Sequence, residues 1–114
     1  MKYILLLLLS FPVSAQEWTT EDTQWEAGYL ALHLIDWGQT LDIAENSQYT
    51  ELNPLIGSNP SRGDVNRYFA VTAIGHYLIS RYLGENRRLW QQTTMFIEFN
   101  VVARNASIGV NINF

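Results

Sequence analysis

Two histidines and a set of carboxylates recur at helical spacing in this chain. Glu26, His33, Asp36 and Thr40 stand seven, three and four residues apart, with Tyr29 completing the row. His76 and Ser80 share a face with Phe69 and Ala73, and Gln91, Thr94, Glu98 and Asn105 follow at steps of three, four and seven. Such steps return to one side of an α-helix, so each row is a polar stripe. A His and an Asp at i, i+3, joined by His76 and Glu98 from other helices and Glu51 from a loop, offer the ligand types of a metal site or an acid–base site. The same groups suit a buried polar network that holds helices in register. No HExxH or ExxH pattern, no GxSxG elbow and no cysteine accompanies them. A structural clasp is therefore the preferred reading over an enzyme, the metal is left unknown, and no cofactor is expected.

The elements that must position these residues are helices. The first is expected over about 20–44, capped by Thr19 or Thr20, with Glu21, Asp22 and Glu26 near its positive end. The second is expected over 60–83, with Asn59 as cap, Pro60 at the first helical position and Gly84 as terminator. The third is expected over 86–104. Between the first two lies a connection, 45–59, rich in turn residues and long for a compact helical domain. The end of the chain changes period: Ile108, Val110, Ile112 and Phe114 alternate with small or polar residues, which suits a short extended tail or edge strand. The fold class expected is all-α, a three-helix bundle with a short extended C-terminal tail.

Residues 1–15, MKYILLLLLSFPVSA, have the build of an export signal: Lys2, a short apolar run, Pro12, then Val13-Ser14-Ala15 with small residues at the cleavage positions. Their apolar length falls short of the ~20 residues that span a bilayer. Cleavage leaves a single helical domain, 16–114, in the cell envelope; retention as a signal anchor makes the helices four. The 114-residue chain has no cysteine, so no disulfide staples it. Its formal charge of −4 argues against nucleic acid as a partner. Eight acids and no Lys or Arg lie in 16–53, whereas six arginines face three acids from Pro54 onward. The two parts are expected to attract one another within the fold.

Narrow polar stripes on otherwise apolar helices invert the pattern of a helix in water and match a bundle in lipid, where ionisable groups face inward. Integral or peripheral membrane association is therefore expected over a soluble periplasmic state, with a protein partner or a homo-oligomer as further possibilities. Arg67 and Arg81 flanking the second apolar segment, and Arg87-Arg88 on the wrong side for positive-inside topology, weigh against spanning helices. Arg62-Gly63-Asp64 spells an adhesion tripeptide, but it opens a helix, where an Asp is favoured by the dipole. Asn105-Ala106-Ser107 is a glycosylation sequon only in a eukaryotic setting.

The most distinctive string is Asp36-x-x-Gln39-Thr40 followed by Glu51-x-Asn53-Pro54-x-x-Gly57. It resembles a pattern in small, uncharacterised bacterial helical membrane proteins, in which an Asp and a Thr late in one helix precede Glu-x-Asn-Pro. The resemblance covers about 33–60 and implies a small envelope protein without an assigned reaction. This chain departs from it in its signal-like start and its longer loop. Pro54 forces Asn53 out of helical geometry, while Glu51 and Asn53 can bond exposed backbone groups. His33, Asp36, Thr40, Glu51, Asn53, His76 and Glu98 are thus the candidate clasp or ligand site. The competing expectation is a membrane-embedded enzyme or metal-binding protein that uses His33, Asp36, His76 and Glu98.

Overall fold

A computed structural model describes residues 17–114; the signal-like segment 1–15 and its cleavage point lie outside them. Helix α1 spans Thr20–Glu45 and α2 spans Arg62–Leu83; a 3-10 turn, Gly84–Asn86, leads directly into α3, Arg87–Ser107. No strand occurs among the described residues, so the all-helical expectation holds. The helix count is less simple than expected. Residues 62–107 are helical throughout and bent at the turn, so α2 and α3 are two arms of one run that folds back. Gly84 makes the reversal at φ 56°, a region that a Cβ disfavours. Both arms pack on α1, α3 more extensively than α2.

Helix ends follow local chemistry. Thr19 caps α1 in a capping box: its hydroxyl accepts from the Asp22 amide, and the Asp22 carboxylate accepts from the Thr19 amide. Ser61 and Asp64 do the same for α2, which therefore starts two residues later than Asn59 and Pro60 suggest. Asp64 is thereby committed to the cap and to Arg67, a structural use for the Arg62-Gly63-Asp64 string. Helix α3 runs three residues past the expected 104, because Asn105 is buried and its amide donates to Gln39 across the α1–α3 contact. That bond also occupies the sequon asparagine.

The inside of the molecule is more polar than its outside. Among the described residues six hydrophobic side chains are buried, against twelve polar or charged ones that include Asp22, Glu26, His33, Asp36, His76, Arg87 and Gln91. An apolar cluster of Leu41, Val65 and Phe69, with Trp37, Ala44, Ile56 and Tyr68 against it, fills one end only. Exposed positions include Leu34 on α1, Val71, Ile74 and Ile79 on α2, and Leu89, Phe96, Ile97 and Phe99 on α3. The inversion read from the stripes is real in space, yet no described helix is long and apolar enough to cross a membrane. The inward polar residues dilute each helix: the middle of α1 carries His33, Asp36, Gln39, Thr40 and Asp42. The transmembrane-helix expectation is thus not carried by these helices.

Residues 108–114 form neither helix nor strand. Their alternating side chains do not build a ladder, because their polar groups bond α1 instead. The Asn111 amide donates to the Asp42 carboxylate at 2.9 Å, and the Asn113 amide to the Gly38 carbonyl at 3.0 Å. The Asn113 side chain reaches Glu45 at 2.7 Å, and Arg62 joins Glu45 to the Asn113 carbonyl. Gly38 permits this close approach, since a Cβ there would lie 2.5 Å from Ile112 and 2.8 Å from Phe114. Gly38→Ala is expected to cost about 1–3 kcal/mol by overpacking. Gly75→Ala, where an added Cβ meets nothing within 4 Å, should be neutral or gain up to about 1 kcal/mol. Chemical denaturation of the two variants checks the contrast; equal effects would contradict the packing described.

Candidate functional site

Three polar nodes follow one another along the interior. At the first, Asp22 on α1 meets Arg87 at 2.8 Å and Arg88 at 2.9 Å, both from α3. Arg87 is fully enclosed and also donates to the carbonyls of Ser80 and Arg81, so one guanidinium ties α1 to the end of α2. Burial alone would raise the Asp22 carboxyl, but hydrogen bonds from Thr19 and Arg88 and the charge of Arg87 outweigh it and hold the pKa below its ordinary value.

Glu26 lies at the centre of the second node. One carboxylate oxygen faces His76 Nδ1 at 2.7 Å; the other accepts from the Ser80 hydroxyl at 2.7 Å and the Gln91 amide at 3.2 Å. Burial pushes this carboxyl up, but the His76 and Ser80 hydrogen bonds prevail and its pKa is lowered. An ionised carboxylate only accepts, so His76 carries its proton on Nδ1. Its Nε2 meets the Thr94 hydroxyl at 2.6 Å. Ser80 sits on the same ring nitrogen as Glu26, at 3.5 Å, and also receives the indole N–H of Trp90. This is a satisfied carboxylate with its donors; Ser80, wholly buried, is not placed as a nucleophile on a free imidazole nitrogen.

The third node holds His33, Asp36 and Glu98. His33 Nε2 faces the Phe69 carbonyl at 3.2 Å and the Thr72 hydroxyl at 2.9 Å; a carbonyl only accepts, so this nitrogen donates. Its Nδ1 stands 3.4 Å from both the Tyr29 hydroxyl and Glu98 Oε2. Asp36 accepts from Thr40 at 3.2 Å and bonds Glu98, with Glu51 close enough to act through its charge. A hydrogen bond between two carboxyls needs a proton on one of them. Burial first, and then the charge and hydrogen bond of Glu98, push Asp36 up to about 8. Tyr29 bridges the second and third nodes, its ring stacked on His76 at 3.4 Å and on His33 at 5.2 Å between centroids. Burial and the nearby Glu98 charge raise its phenol.

His33, Asp36, Thr40 and Glu98 thus come together. His76 bonds Glu26 in the second node, stacks on Tyr29, and lines the same groove as His33 and Glu98. The Glu51–Asn53 turn closes on itself: Glu51 accepts from the Asn53 amide, and the Asn53 side chain accepts from Leu55 and donates to the Tyr68 hydroxyl at 2.8 Å. Asp36 and Thr40 bond one another rather than that turn. Among the described residues no group of three or more His, Cys, Asp or Glu side chains is arranged to hold a metal ion. Sequence reading did not single out the Asp22–Arg87 pair, Gln91 as a ligand of Glu26, or Tyr68; the seven-residue step from Glu26 to His33 and the four-residue step from His76 to Ser80 were the available signals. Comparison with family models, with curated proteins and with solved structures gives no match.

The interior imposes a pH dependence. Asp36 keeps its proton in the fold while the unfolded chain releases it near 3.8, so stability falls as pH rises from there to about 8. Asp22 and Glu26 act oppositely: their lowered pKa values add stability above 3.8 and 4.5, lost as pH falls through the folded values. Urea melts across pH should therefore peak on the acid side of neutrality. Asp36→Asn should flatten the decline above that peak, where Asp36 removes at most about 1.4 kcal/mol per pH unit. A wild-type optimum at or above neutrality would contradict the assigned protonation.

Proposed function

We propose that the chain is a small helical protein of the cell envelope, an accessory or interaction protein whose exposed apolar faces rest on a membrane. The three helical arms act as one bundle, with the tail as its closing segment and the polar interior as its clasp. The observation that carries this reading is the inversion of the bundle: charged and amide side chains are enclosed while Leu34, Ile74, Ile79, Phe96 and Phe99 face outward. Water would not favour so much outward apolar surface on a monomer, and such surface marks a membrane or protein contact. The signal-like 1–15 segment and the resemblance carried by Asp36, Thr40, Glu51, Asn53 and Pro54 support the same compartment. Association through exposed faces does not require any helix to span.

In this reading the histidines are structural. His76→Ala deprives a buried carboxylate of its main partner and is expected to cost about 3–5 kcal/mol, read by circular dichroism melts. His33→Ala removes longer, looser contacts and should cost less. A folded His33→Ala or His76→Ala protein that has lost an activity or a copurifying metal would instead support the enzyme or metal-binding alternative. Localisation is tested by fractionation with salt and alkaline washes, combined with sequencing of the mature N-terminus. The chain should begin at Gln16, sediment with membranes and survive the salt wash. Recovery in the soluble fraction would overturn the membrane reading, and an N-terminus at Met1 would overturn the cleaved signal.

A further inference from the structure

The polar interior opens to the surface at a groove beside Tyr29, His33, Tyr68, His76, Trp90 and Glu98, with a volume of about 340 Å³. Its walls are mainly aromatic and aliphatic, with Val71 and Ile79 among them, and Glu98 supplies its carboxylate. Glu98 Oε2 is a buried oxygen without a hydrogen-bond partner; the nearest group that could carry a positive charge is His33 Nδ1, 3.4 Å away and equally close to the Tyr29 hydroxyl.

Charge is unbalanced here. Glu98 is the carboxylate among the residues that line the groove and Glu51 adds charge nearby, while Asp36 keeps its proton; no arginine is among the lining residues. Arg62 and Arg67 pair with Glu45 and Asp64, Arg87 and Arg88 with Asp22, and Arg81 lies over Trp18 and Tyr77. A carboxylate oxygen lacking a donor beside several aromatic rings disfavours an anion. It leaves an apolar neutral molecule with an unmatched charge, and it suits a cation with a hydrocarbon coat.

We infer that this groove is a binding site for a small organic cation, an ammonium or quaternary ammonium group held by Glu98 and flanked by Tyr68 and Trp90. Gly75 on α2 keeps the mouth open, since a Cβ built there meets nothing within 4 Å. The site does not depend on membrane association, because it is tested on the purified full chain.

The probe is choline, titrated by calorimetry against its neutral carbon isostere, dimethylbutanol, at constant ionic strength. Choline should bind saturably, and the alcohol at least about tenfold more weakly, as loss of a cation–π and ion-pair contact predicts. Glu98→Gln should weaken choline by about tenfold or more in a protein that still folds, since the amide keeps a hydrogen-bonding group beside the protonated Asp36. Gly75→Leu places a side chain in the mouth and should block binding in a folded protein. Failure of choline to saturate, equal binding of the alcohol, or binding that survives both substitutions would each overturn the assignment.

Discussion

Glu26 is a carboxylate taken out of water, and the arrangement of the helices follows from satisfying it. Its side chain is 5% exposed and receives His76 and Ser80 from α2 and Gln91 from α3. An ionised carboxylate without partners in such a place would be several kcal/mol unfavourable, so no two arms can separate without exposing that cost. Directional donors also fix rotation: α2 must present His76 and Ser80 together, one turn apart, and α3 must present Gln91 opposite them. The Asp22–Arg87 contact sets the bend by holding the first residue of α3 against the last turns of α2.

Such an interior divides the work of stabilisation unusually. Apolar burial is concentrated around Leu41, Val65 and Phe69, beside the 46–61 connection, while the remaining length of the bundle relies on hydrogen bonds and ion pairs. A polar network specifies one arrangement but adds less net free energy per contact than its short distances suggest. The Asp36–Glu98 pair is the weak member, because it is stable in the interior only with a shared proton. The tail compensates at the same end of α1 by supplying amides to Asp42 and Gly38.

Local features were legible in the sequence, and their pairings were not. Polar stripes at steps of three, four and seven identified the inward faces of all three arms, because spacing along a helix is fixed by its pitch. Thr19 was readable as a cap; Ser61 was obscured by the competing Asn59-Pro60 signal, although Ser61 and Asp64 have capping-box spacing. Which carboxylate meets which histidine depends on helix rotation and crossing, so the candidate set joined His76 to Asp36 and Glu98 when its partner is Glu26. The alternation after Ser107 correctly marked a departure from helix, but strand geometry also needs a neighbouring edge, and none exists among the described residues. The polar stripes anticipated an inverted bundle without revealing that the same residues lower each helix below the apolarity of a membrane span.

The enclosed set of Glu26, His76, Ser80 and Gln91 also reverses the usual map of mutational tolerance. An ordinary apolar core accepts many exchanges that preserve volume. Here each interior position needs a particular donor or acceptor at a particular atom, whereas Ile74, Ile79, Phe96 and Phe99 face outward with no such demand. Drift in such a protein would leave its inner grammar nearly untouched while rewriting its outer face, so the readable signature of its lineage lies in the polar spacing and not in the hydrophobic residues.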